Sequence, residues 1–104
     1  MLTESLITSE RECAEGRTAP RVTLDSIVAK IEHTVYWQPH GTTLTIAVLR
    51  MRNGFICVGE SASASAANFD AELGQKLAYE DAVRKLWRLE GYLLRERLAS
   101  EGKE

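Results

Sequence analysis

Histidine, cysteine and proline are each present only twice in this chain of 104 residues, and each scarcity excludes something. His33 and His40 stand near a turn signal with no sign of a carboxylate that orients them, and nothing has the spacing of metal ligands. Cys13 and Cys57 lie far apart and form no CxxC pair. Free thiols in a reducing compartment are expected. The longest aliphatic run, Ile46 to Leu49, is far too short to cross a bilayer, which takes about 20 residues. The opening "MLTESLITSERECAEGRTAP" has neither a basic start nor an apolar stretch of signal length. A cytoplasmic protein without a membrane partner is therefore expected. The net charge of −2 provides no global basic field to draw the chain to nucleic acid.

Catalysis finds little support. No G-x-S-x-G elbow surrounds Ser61, Ser63 or Ser65. Asp70 and Glu72 fall in the first turn of an expected helix, where acids favour the dipole in any case. Together with Glu80 and Asp81 they look like paired carboxylates on one helix, but the dipole already accounts for the first two. We expect no enzyme activity, no metal and no cofactor.

What is present reads as one domain, residues 21–104, behind a flexible arm over residues 1–20. "RVTLDSIVAKIE" has apolar positions at Leu24, Ile27, Val28 and Ile31, the spacing of an amphipathic helix, and Thr23 is placed to cap it. "HTVYWQ" then turns β-branched and aromatic, and Pro39-His40-Gly41 marks a turn. "TTLTIAVLRMR" and "FICVGES" read as strands about Asn53-Gly54, the signal for a two-residue type I′ hairpin. In that register one sheet face carries Leu49, Met51, Ile56 and Val58. The other carries Leu44, Ile46, Val48, Phe55 and Cys57 with Arg50, and being largely apolar it needs a cover. The alternatives are the N-terminal segment or, as we expect, a partner subunit in a homo-oligomer, a dimer or higher.

From Phe69 the chain reads as helix, with an apolar stripe of Leu73, Leu77, Ala78, Ala82, Leu86, Leu89 and Leu93. Val83, Trp87 and Leu94 flank it. Gly74 suggests close approach to the sheet, whereas Gly91 is expected to break or bend the helix. The fold class is α+β in the order α-β-β-β-α: a three-stranded antiparallel sheet with helices packed on one face.

"GESASASAANFDAELGQK" contains the most ambiguous segment. A plain crossover loop is the simple reading, with Asn68 capping the helix. The functional reading is an anion cradle of Ser61, Ser63 and Asn68 at the helix start. Arg84 and Lys85 would supply cations, and Trp87 or Tyr92 would stack on a base. Because the helix separates these two groups, the cradle would draw its cations from a neighbouring subunit.

Two resemblances bear on function. The α-β-β-β-α order and "GQKLAYEDAVRKL" resemble double-stranded RNA-binding domains, with Lys76 and Ala78 in matching places. Gln75 and Tyr79, however, stand where further lysines would grip phosphate, and Glu80 and Asp81 would repel it. "RNGFICVGES" followed by "ANFDAELGQKLAYEDAVRKLWRLEGYLLRERL" resembles a family of small tailed-phage accessory proteins, from about Val22 to Leu98. The shared features are the NGF hairpin, the NFD-x-E-x-G helix start and the LEGYLL ending; Arg88 departs from the family's proline after tryptophan. The resemblance extends to Thoeris anti-defence sponges. It implies a phage or prophage protein, without enzymatic activity, that sequesters a cyclic ADP-ribose-like signal in the bacterial cytoplasm. The alternative role is a structural or regulatory phage protein that makes protein–protein contacts through its sheet face.

Overall fold

A computed structural model describes residues 2–14 and 19–102. Helices α1 (Glu4–Ala14) and α2 (Leu24–Lys30) precede strands β1 (Ile31–Trp37), β2 (Leu44–Met51) and β3 (Ile56–Ala62). A single 3₁₀ turn, Ala66–Asn68, leads into the long helix α3 (Ala71–Ser100). The strands form one antiparallel sheet in the order β1-β2-β3, and the helices pack on one of its faces. The fold is α+β, as expected.

α2 begins where Thr23 Oγ1 accepts a hydrogen bond from Ser26 N at 3.1 Å, the cap anticipated above. Its other end is tied to the hairpin. Arg52 donates from its backbone N to Lys30 O at 2.9 Å and from Nε to Ala29 O at 2.7 Å. These bonds satisfy carbonyls that a helix end leaves without partners.

The hairpin departs from the expected type I′ turn. Gly54 N donates to Met51 O at 2.9 Å and Met51 N to Phe55 O at 2.8 Å, so the loop is the three residues Arg52-Asn53-Gly54. Gly54 has a left-handed backbone, at φ 89°, and Asn53 Oδ1 accepts from Phe55 N at 2.9 Å. This is a three-residue hairpin loop closed by a left-handed glycine. It moves the register by one residue, so Leu49 pairs with Cys57 and Val48 with Val58. A one-residue slip exchanges the faces of a strand. Cys57 and Gly59 therefore face the core with Ala47, Leu49 and Met51, whereas Ile56 and Val58 face outwards.

The reason lies in α3. A Cβ on Gly59 would stand 2.0 Å from Ala78 O and 2.4 Å from Ala82 N. The helix runs so close to β3 that only a glycine fits, between two alanines. A second close approach places Gly74 over Thr45, whose Oγ1 lies 2.7 Å from where a Cβ would be. The Gly74 expectation is thus met. The expected stripe on α3 is only partly right: Ala78, Ala82, Val83 and Leu86 are buried together with Tyr79, but Leu73, Leu77, Leu89 and Leu93 are exposed. Nor does Gly91 break the helix, which runs unbroken from Ala71 to Ser100.

The segment expected as a flexible arm holds α1. Leu6 is fully buried in a cluster with Leu24, Ile27, Tyr79 and Val83; a side chain of this size contributes about 1.5–3 kcal/mol when fully buried. Thr3 Oγ1 donates to the buried Glu80 carboxylate, and the backbone N of Leu24 donates to Glu10. α1 therefore lies on the helical side and does not cover the open sheet face. The side chain of Cys13 lies outside the described residues; Cys57 is a buried free thiol.

The two helix-contacting glycine arguments give opposite expectations for two alanine substitutions. Gly59→Ala should destabilise by about 3 kcal/mol, since backbone rather than a flexible side chain is in the way. Gly91→Ala has no atom within 4 Å of its new Cβ and should stabilise α3 by up to about 1 kcal/mol. Thermal or urea unfolding of both variants checks the pair.

Candidate functional site

Ser61, Ser63 and Asn68 do come together. They line a hollow of about 160 Å³ with Thr43, Phe69, Asp70 and Gly74. The helix start beneath it is already served. Asp70, not Asn68, is the N-cap: its Oδ1 accepts from Glu72 N at 3.0 Å and Leu73 N at 3.2 Å. Asn68 belongs to the 3₁₀ turn instead. Ser63 Oγ donates to Ser65 O at 2.9 Å, and Thr43 Oγ1 donates to Ser63 O at 2.6 Å. The loop's polar groups thus hold the loop itself, and an anion here would meet a carboxylate with no cation lining the hollow.

Arg84 and Trp87 lie elsewhere. Fourteen residues of helix separate Asp70 from Arg84, about 21 Å, so one protomer does not bring the two groups together. Arg84, Trp87 and Arg88 instead line a second cavity of about 330 Å³, joined among the described residues by Ser9 of α1. Arg84 Nη2 donates to Ser5 Oγ at 2.9 Å, so α1 orients one guanidinium at this groove. Trp87 is half-buried, with its ring available at the groove wall.

The other two candidates stand apart. Lys85 Nζ donates to Val58 O at 2.9 Å and lies 3.3 Å from Asp81 Oδ2. The same Asp81 oxygen accepts from Glu60 N at 2.9 Å. Lys85 therefore helps seat α3 along β3. Tyr92 is 70% exposed and lines neither cavity.

Ser9 and Arg88 were missed from sequence. Ser9 sits in a segment whose helix is held by one fully buried leucine, too sparse a pattern to show a periodic face. Arg88 showed in sequence as one of several basic residues along this part of the helix and as a departure from a family pattern, but it was not named as a ligand. Of the positions that would match an RNA-gripping helix, Gln75 and Lys76 are exposed, whereas Ala78 and Tyr79 lie in the core and the buried Glu80 accepts from Thr3 of the N-terminal segment.

Among the described residues no group of histidine, cysteine, aspartate or glutamate could hold a metal ion. No helix among them is long and apolar enough to cross a membrane. The Cys57 thiol is pushed up by burial; Lys85 nearby opposes this and Asp81 adds to it. Burial, with Tyr36 beside it, pushes the Tyr79 phenol up to about 12.

Fold and groove together describe a small α+β protein with a basic-aromatic corner and an uncovered apolar sheet face. Residues 22–98 match the phage protein (N4 Gp49/phage Sf6 gene 66) family, and the chain belongs to it. No curated protein and no solved structure matches the chain.

Tyr79 gives a pH dependence with a definite sign. Its folded value lies above the ordinary value of 10, so ionisation favours the unfolded chain. The corresponding stabilisation, about 3 kcal/mol, is fully present below pH 10 and is lost as pH rises towards 12. Alkaline thermal unfolding should show a steep fall in Tm over that window, and Tyr79→Phe should flatten it.

Proposed function

We propose that this phage protein is a non-enzymatic accessory factor that binds a small nucleotide-type anion and withholds it from a bacterial defence pathway. The ligand class is that of cyclic ADP-ribose and related cyclic nucleotides, and the place of action is the host cytoplasm. The observation that carries the reading is the groove of Arg84, Trp87, Arg88 and Ser9, a cavity of about 330 Å³. Guanidinium groups pair with phosphate through parallel charge-assisted hydrogen bonds. An indole offers a flat surface for a base and attracts cations to its face. The volume is at the small end for a ligand pocket, in keeping with a compact cyclic molecule held at its phosphate and base.

The proposed ligand set accordingly shifts from the serine-rich loop to the middle of α3. Ser61, Ser63 and Asn68 remain in the proposal only as a loop that a second subunit's ligand would approach. Lys85 and Tyr92 drop to supporting positions. Sequestration asks for tight binding without turnover, which two arginines and a stacking ring provide without a nucleophile.

Thermal shift with cyclic ADP-ribose isomers and cyclic oligonucleotides tests this. At a ligand concentration of about 100 times Kd the native state gains about 2.7 kcal/mol, a rise in Tm of several degrees. Arg88→Ala should weaken binding at least about tenfold, and ligand released by heating should be chemically unchanged by mass spectrometry. Absence of a shift with every member of the panel would contradict the proposal, and recovery of a cleaved ligand would contradict its non-enzymatic part.

A further inference from the structure

The uncovered sheet face has a definite composition once the register is known. Three rows cross it: Val35, Val48 and Val58 in the middle, Trp37, Ile46 and Glu60 on one side, and His33, Arg50 and Ile56 on the other. Six of these nine positions are apolar. Val35, Trp37, Ile56 and Val58 are between 42% and 60% exposed. Phe55 at the hairpin end is also exposed. A contiguous apolar patch of this kind on a small protein marks an interface. Nothing in the chain's own described residues reaches it, since α1, α2 and α3 are all on the opposite side.

We infer that the occupant is a second copy of this chain, packed sheet to sheet about a two-fold axis through the valine row. The charges single out a copy over an unrelated protein. Glu60 lies in one outer row, and Arg50 and His33 lie in the other. A two-fold axis along the middle row lays the first outer row over the partner's second outer row. Each Glu60 then lies over the partner's Ile56, one strand across from the partner's Arg50, and each Trp37 lies over the partner's His33. The valine rows meet each other. Arg50 is held in place by its bond to Glu32 at 2.8 Å and keeps further N–H donors for Glu60. An isologous contact requires a patch complementary to itself under rotation, and this face meets that condition.

Geometry agrees with size. Two sheets pack face to face about 10 Å apart with strands within about 30° of alignment. A three-stranded face of strands this long spans about 20 Å by about 15 Å. That flat footprint is about 300 Å², which with side-chain relief places the contact among small, weak interfaces that bury less than about 1,200 Å² in total. A dimer with a dissociation constant in the micromolar range is the expected outcome. This inference does not rest on the proposed ligand, because neither Arg84 nor Arg88 is on the sheet.

Sedimentation velocity of the full chain from about 1 µM to about 200 µM should show monomer passing to dimer. Val58→Arg places an unpaired charge in the middle row, and it should weaken the dimer at least tenfold while leaving the circular dichroism unchanged. A second measurement does not depend on that variant's folding. Acrylamide quenching of Trp37, isolated in a Trp87→Phe background, should fall as concentration rises. A chain that stays monomeric throughout the range overturns the inference and leaves the face to another protein. Association that Val58→Arg does not weaken, or that leaves Trp37 quenching unchanged, overturns it as well.

Discussion

Helix α3 lies against strand β3 at a distance that admits no side chain on Gly59, and much of the molecule follows from that contact. Ala78 and Ala82 are the helix's side of it, and Gly74 over Thr45 repeats the arrangement nearer the helix start. Close packing leaves no room to exchange these residues for larger ones. Strand β3 can present Gly59 to the helix only if Cys57 and Ser61 share its side. Ile56 and Val58 must then point away. The hairpin turn, the register and the uncovered apolar face are consequences of one small-residue contact.

The same contact explains how the core is finished. Alanine and glycine bury little apolar area, so the larger side chains gather where α1, α2 and α3 meet. Leu6, Leu24, Ile27, Tyr79 and Val83, with Leu49 of β2, are the largest fully buried members of the same cluster that holds Ala78 and Ala82. Glu80 is drawn into it and is satisfied by Thr3, so α1 is held by a polar bond as well as by Leu6. α1 also shapes the proposed ligand groove, through Ser5 on Arg84 and Ser9 at the wall. The helix that completes the core thus helps to build the groove.

The element order was legible because the apolar period changes plainly, from helical in α2 to alternating in β2, with Asn53-Gly54 between two strands. The register was not. Asn-Gly serves both a two-residue turn and a three-residue turn with a left-handed glycine, and "ICVGES" offers a possible inner face on either alternation. Only the proximity of Ala78 and Ala82, about twenty residues further on, selects between them. Thr23 could be read as a cap from local sequence alone. Asp70 could have been, yet Asn68 two residues earlier offered the same chemistry. α1 was illegible for a different reason: its anchors are single residues whose partners lie far along the chain, Thr3 to Glu80 being 77 residues apart. In the groove, Arg84 and Trp87 showed as a basic-aromatic pair, but the fourth wall came from a helix the sequence did not announce.

The small-residue contact is what the whole account depends on, and the pairing of β2 with β3 reports it most directly. Cross-strand nuclear Overhauser contacts between α-protons read that pairing residue by residue. Contacts of Val48 with Val58 and of Arg50 with Ile56 are predicted. A contact of Leu49 with Val58 in their place would return Val58 to the core and contradict the account.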